Sequence, residues 1–144
     1  MASIIGNRKC PFHNHASRLY YRPMQTKTKG QLEAEISEAI TRFEREYMGR
    51  GPEETRVMII EDCVLVRLRG MLTPAEAQLV QMDNRQEGRR LVKRMRSELL
   101  ENARPLLETV IGHITGCSII SMHTDISTVT GERMILFTLD KAPF

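Results

Sequence analysis

Residues 118–139 pair two unlike strands in one hairpin, and that pairing constrains the fold of this chain more than any other segment. Ile120, Met122, Thr124 and Ile126 alternate with Ser121, His123, Asp125 and Ser127, the period of a strand with one buried face and one wet face. Met134 to Leu139 is apolar on both faces except at Thr138. Thr130-Gly131-Glu132 separates the two runs, and Gly131 can take the positive φ that a tight turn requires. One strand therefore presents a polar face, while its neighbour asks for cover on both sides.

The segments before this hairpin repeat the same plan. From Thr28, apolar residues recur at helical spacing (Leu32, Ile36, Ile40, Phe43, Tyr47) until Gly49-Arg50-Gly51-Pro52 ends the run. Residues 55–60 and 63–69 read as two strands around a tight turn at Glu61-Asp62, closed by Gly70. Thr73-Pro74-Ala75-Glu76 is a capping box with proline at the first helical position, and it opens a short helix to about Met82. Asp83-Asn84 is a second capping signal before a long helix. Its expected buried stripe is Leu91, Met95, Leu99, Leu106, Val110 and Ile114, with a kink at Pro105 and Gly116 as the stop.

The order α-β-β-α-α-β-β predicts an α+β, two-layer domain: a four-stranded, mainly antiparallel sheet with helices on one face. Helices on one side leave the other open. Met58 and Ile60 oppose Val57 and Ile59, and Met134 and Leu136 oppose Ile135, Phe137 and Leu139. The apolar content of both faces predicts a homodimer or another partner, and Ile135, Phe137 and Leu139 are assigned to the partner face. The competing arrangement has the chain's own start, with Phe12, Leu19, Tyr20 and Tyr21, covering that face.

At 144 residues, 41% hydrophobic and 27% charged, the composition is that of one soluble globular domain. No apolar run reaches the roughly 20 residues that span a bilayer, and the start carries no signal-peptide core. The expected address is the cytoplasm. The net charge of +3 divides unevenly. Residues 1–29 hold Arg8, Lys9, Arg18, Arg22, Lys27 and Lys29 without an acid, and the remainder has 15 basic against 18 acidic groups. We therefore divide the chain into a basic irregular extension (1–27), one domain (28–140) and a short tail (141–144). A basic arm on an acidic domain argues against a nucleic-acid-binding core. Three widely spaced cysteines, Cys10, Cys63 and Cys117, make no disulfide framework, and the latter two read as small core residues.

Three groups of residues have the makings of chemistry. Cys10, His13 and His15 are metal-ligand types, but zinc needs four donors in a tetrahedron. No metal and no cofactor is expected. His123 and Asp125 share a strand face about 7 Å apart, near enough to be neighbours without being bonded, and no nucleophile is placed beside them. Arg85, Arg89, Arg90, Lys93, Arg94 and Arg96 load the start of the long helix with positive charge, against the preference of that end for anions. With Arg67 and Arg69 they could meet an anion, RNA or an anionic lipid surface. Gly-rich phosphate loops, nucleophile elbows and zinc-protease motifs are missing from the sequence, so no enzymatic activity is expected.

Three separated blocks, taken together, carry a family resemblance. They are residues 64–76 (Val-Leu-Val-Arg-Leu-Arg-Gly-Met-Leu-Thr-Pro-Ala-Glu), residues 96–105 (Arg-Ser-Glu-Leu-Leu-Glu-Asn-Ala-Arg-Pro), and His123-Thr124-Asp125-Ile126-Ser127 through Gly131-Glu132 to Phe137-Thr138-Leu139. In this order the chain resembles the MpsC-like family over residues 28–140. That family of small bacterial proteins is named for a sodium-translocating, membrane-potential-generating system. The resemblance implies a cytoplasmic accessory or regulatory protein beside a bicarbonate- or sodium-linked membrane transport system, with a transporter or signalling protein as partner. The family's recurring polar positions fall on Arg67, Thr73, Glu76, His123, Asp125, Ser127, Gly131 and Glu132. Thr73, Glu76 and Gly131 already have structural roles. His123, Asp125 and Arg67 remain as interaction candidates beside Arg89, Arg90 and Lys93. The alternative is a nucleic-acid-binding module that uses the basic extension and the 85–96 helix.

Overall fold

A computed structural model describes residues 26–82 and 85–144, apart from the side chain of Arg85. Seven elements follow in the expected order: α1 (Lys29–Tyr47), β1 (Glu54–Ile60), β2 (Cys63–Arg69), α2 (Pro74–Gln81), α3 (Arg85–Thr115), β3 (Ile119–Ile126) and β4 (Arg133–Leu139). The extension before Thr26, with Cys10, His13 and His15, lies outside the described residues, as does the capping signal at Asp83-Asn84.

Local signals account for the helix ends. Thr28 and Gln31 cap α1 reciprocally, the Gln31 amide donating to Thr28 Oγ1 at 3.3 Å and the Thr28 amide to Gln31 Oε1 at 2.8 Å. Thr73 and Glu76 do the same for α2. Gly88 lets α2 and α3 approach closely, since a Cβ there would lie 1.9 Å from the Leu79 carbonyl oxygen. Gly116, at φ 67°, ends α3 in the left-handed conformation that glycine adopts freely. Pro105 sits inside α3, which continues past it.

The four strands pair antiparallel in the order β1-β2-β4-β3. Each hairpin contributes one central and one edge strand, so the long β2–β4 contact joins the two halves of the chain. The edge is partly occupied, because Glu33 of α1 accepts the Ile59 amide of β1 at 2.9 Å. Side-chain alternation then sorts the sheet into two faces. Val57 and Ile59, Val64, Val66 and Leu68, Met122 and Ile126, and Ile135, Phe137 and Leu139 lie under the helices with Leu32, Ile36, Ile40, Leu100, Leu107 and Ile111.

Two expectations change here. Ile135, Phe137 and Leu139 do not form a partner face. They are buried beneath the chain's own helices, because the phase of β4 is set by Val64 and Val66 pairing across from Phe137 and Ile135. The face left open carries Met134 and Leu136 instead. The stripe of α3 is also displaced by one residue: Val92, Arg96, Leu100, Ala103, Leu107 and Ile111 are buried, whereas Leu91, Met95 and Leu106 are exposed. Both stripes have helical spacing. The buried one contains an arginine and an alanine, which made the more apolar sequence look like the core. Cys117 is buried as expected, but Cys63 sits half-buried on the open face.

Candidate functional site: the open face of the sheet

The strand register places the open face in rows. Met58, Leu65, Leu136 and His123 lie side by side across the four strands, with Ile60, Cys63, Thr138 and Ser121 next to them. On the other side run Arg56, Arg67, Met134 and Asp125. Period-two alternation in four strands thus gathers an apolar centre flanked by polar and charged groups. Met58 is 41% exposed and Ile60 59%, whereas Leu65, Met134 and Leu136 are half-buried among their neighbours.

The polar margin is bonded to itself. Ser121 and Thr138 hydroxyls meet across the β3–β4 pair, and His123 Nε2 lies 3.1 Å from Ser121 Oγ. Asp125 turns elsewhere, its Oδ1 accepting the Ile126 amide at 2.8 Å and Lys93 Nζ of α3 at 3.2 Å. His123 and Asp125 therefore share a face without forming an acid–base couple. Arg67 grips Glu132 through two bonds, Nε to Oε1 at 2.6 Å and Nη2 to Oε2 at 3.2 Å. That guanidinium holds the Glu132 carboxyl below the usual carboxylate range, and it leaves Arg67 already matched to an anion. Arg56 and Arg69 share Glu54.

The basic start of α3 is divided: Arg90, Lys93 and Arg94 line one cleft, while Arg89 and Arg96 lie elsewhere. Lys93 ties the helix to Asp125, Arg94 faces Glu98 at 4.0 Å, and Arg96 is buried. Arg89 enters a cleft beside the β3–β4 turn, and Arg90 is exposed. Of the six interaction candidates, then, the structure joins Lys93 with Asp125, places His123 and Arg67 on the same face, sets Arg90 beside Lys93 in a cleft along α3, and puts Arg89 in the cleft by the β3–β4 turn.

A second constellation lies on the covered side; of its members the sequence offered Arg96 as one of the helix cations and Glu76 as a cap, without joining them. Glu44 of α1, Glu76 of α2, Arg96 of α3 and Arg133 of β4 are all buried. Arg96 donates to both Glu76 oxygens (Nε–Oε1 2.7 Å, Nη2–Oε2 2.8 Å) and to the Met71 carbonyl at 2.7 Å. Arg133 donates to Glu44 Oε1 at 3.1 Å and to the Arg96 carbonyl at 3.2 Å. The two pairs differ electrostatically. Burial pushes Glu76 up, but Arg96 and the Thr73 amide outweigh it and hold the carboxyl below its ordinary range. For Glu44, burial prevails over Arg133 and Arg96, and its carboxyl is pushed up. Burial likewise lowers Arg133. Glu44 Oε2, Arg96 Nη1 and Arg133 Nε have no hydrogen-bond partner among the described residues. The quartet locks three helices to the sheet, away from solvent. Its trace in the sequence is the spacing of Arg96 four residues from Val92 and Leu100, and of Arg133 two from Ile135.

Fold and site together define a two-layer α+β protein whose open sheet face has an apolar centre and a charged margin. The model of the family described as "Na+-translocating membrane potential-generating system (MpsC)" matches residues 28–141, and the chain belongs to that family. It is 42% identical over 113 residues to a Bacillus subtilis (strain 168) protein described as "Uncharacterized protein YbcI", covering 78% of this chain and 89% of that one. No solved structure matches the chain. Among the described residues no helix is long and apolar enough to cross a membrane.

Proposed function

We propose that this protein is a non-catalytic, cytoplasmic accessory or regulatory subunit of a sodium-linked, membrane-potential-generating transport system, acting as a homodimer paired through its open sheet faces. The observation that carries the reading is the row Met58–Leu65–Leu136, which leaves apolar side chains on the side of the sheet that no helix among the described residues covers. The family's name supplies the membrane system. The margin has both signs, with Arg56, Arg67 and Lys93 beside Glu54, Glu132 and Asp125. A two-fold axis can therefore set unlike charges against each other around the apolar centre. His123 serves this surface as a hydrogen-bonding group rather than a base.

Light scattering tests the pairing. The wild-type chain is expected at twice its monomer mass, and Leu65→Glu with Leu136→Glu is expected to give a folded monomer with unchanged far-ultraviolet dichroism. A wild-type monomer at all concentrations overturns the dimer. Affinity purification from the native cell tests the association, and a preparation free of membrane-transport subunits counts against it. The nucleic-acid reading finds little support, since most of the described cations of the 85–96 helix are engaged within the chain.

A further inference from the structure

A cleft of about 330 Å³ opens where α2, the start of α3 and the β3–β4 turn converge. Leu72, Val80 and Val129 form an apolar wall, and Arg89, Gln81, Thr128 and Thr130 supply the polar groups. Among the described residues no carboxylate lines it. Other arginines packed in this protein are paired: Arg67 with Glu132, Arg96 with Glu76 and Arg133 with Glu44. Arg89 has no ion pair among the described residues, and its Nε is shielded from solvent with no hydrogen-bond partner. A shielded guanidinium donor without a partner is costly, and the side chain that carries it lines this cleft, where its guanidinium is the charged group that the described lining offers an entering anion.

The groups around it are donors as well. The Thr130 hydroxyl accepts the Glu132 amide at 3.3 Å, which leaves its own proton free to donate. The Thr128 hydroxyl and the side-chain amide of Gln81 make no hydrogen bond with any described residue. One fixed positive charge balances one negative charge, so the cleft matches a monoanion better than a phosphate dianion. A carboxylate accepts the fork of a guanidinium in two parallel bonds. The apolar wall then calls for a short hydrocarbon body, and the volume is at the small end of small-molecule sites, which begin at about 300 Å³.

We propose that this cleft binds a small monocarboxylate with a short apolar body, Arg89 gripping the carboxylate and Leu72, Val80 and Val129 enclosing the rest. The cleft lies at the β3–β4 turn, beyond the Arg67–Met134–Asp125 row, and uses no residue of the open-face row Met58–Leu65–Leu136, so its test is separate from that of the dimer.

Nuclear magnetic resonance titration of the full chain with butyrate, butyramide and inorganic phosphate tests it. Butyrate is expected to shift the amides of residues 77–81 and 128–131 saturably, butyramide to leave them in place, and phosphate to bind at least about tenfold more weakly. Arg89→Gln is expected to weaken butyrate by about 10- to 100-fold, and Arg90→Gln, one residue along the same helix turn, to leave it unchanged. Non-saturating butyrate shifts, equal affinity for butyramide or phosphate, or full butyrate affinity in R89Q each overturn the proposal. The contrast between butyrate and butyramide uses the wild-type chain alone and stays decisive if R89Q fails to fold.

Discussion

Glu132 and Arg133 are consecutive residues, yet their ion pairs belong to different environments. Glu132 points to the open face and meets Arg67 across the sheet, while Arg133 points under the helices to Glu44. The open pair is bidentate and partly solvated, and Glu132 stays easily ionised. The covered pair has a single direct bond, leaves Glu44 Oε2 and Arg133 Nε unpartnered, and has both groups shifted toward their neutral forms by burial. A short strand can thus carry two ion pairs of opposite meaning. The open one shapes a surface, and the covered one fixes how helices and sheet fit together at a cost in desolvation.

The largest effect is expected on the covered side. Arg96→Ala leaves Glu76 buried without its cation and opens space between α2 and α3, and it should lower unfolding free energy by about 3–5 kcal/mol in a urea titration. A loss no greater than that of an exposed substitution such as Arg90→Ala would show that the quartet contributes nothing to the fold. The next contrast comes from neighbours on β4. Ile135→Ala removes core volume and should cost about 2–5 kcal/mol at every protein concentration. Leu136→Ala alters the open face, so its cost should depend on concentration if that face pairs two copies. Equal, concentration-independent losses break the distinction between the faces.

A middle-sized effect follows from treating the strained pair as a unit. Glu44→Leu together with Arg133→Met replaces two desolvated charges by apolar volume, and the double variant should be as stable as wild type or more so by about 1–4 kcal/mol. Either change alone strands a buried charge and should destabilise. A double variant as unstable as the single ones would mean that this pair stabilises the fold outright.

These contrasts also mark what could be read from the residues. The element order, the turn at Gly131 and the capping box at Thr73 all rest on local rules, and all appear in the structure. The phase of α3 did not follow, because two overlapping apolar stripes satisfy the same spacing and only the partners Glu76 and the Met71 carbonyl explain why the one containing Arg96 faces inward. The same omission misassigned Ile135, Phe137 and Leu139. Which side of a doubly apolar strand faces the helices is settled by register with β2, not by composition. The open-face residues His123, Asp125 and Arg67 were legible as polar exceptions, but their bonding partners come from other elements or depend on side-chain orientation. The Arg89 cleft depends on three elements meeting, which no spacing in one of them reveals.

Acid separates the two buried carboxylates. The folded-state pKa of Glu76 lies below its ordinary value of 4.5. Its contribution to stability is therefore fully present above that pH and disappears as pH falls through the lower folded value. Glu44 behaves oppositely, since its folded pKa is raised above 4.5. The folded state takes up that proton first, so mild acid strengthens the Glu44 contribution before the Glu76 one is lost. The stability gap between wild type and Glu76→Gln should consequently be widest at neutral pH and narrow below about pH 4.5. A gap that stays constant down to strongly acid conditions would detach Glu76 from this linkage.

The smallest effect belongs to the open pair, and its size is the informative quantity. Arg67→Ala removes a partly solvated contact whose partner, Glu132, remains accessible to water. Exposed ion pairs contribute little because solvent screens them and ordering two side chains costs entropy. Monomer stability should therefore change less than in R96A, I135A or the single Glu44 and Arg133 variants, and the change should shrink further as salt rises. The dimer should respond more strongly, because the same guanidinium lies on the margin of the apolar row and charge there sets docking geometry. Light scattering of R67A across ionic strengths separates these two roles. A weakened dimer with intact monomer stability assigns Arg67 to the interface, whereas an unchanged dimer makes it a local strand contact and moves the docking surface toward Met58 and Ile60.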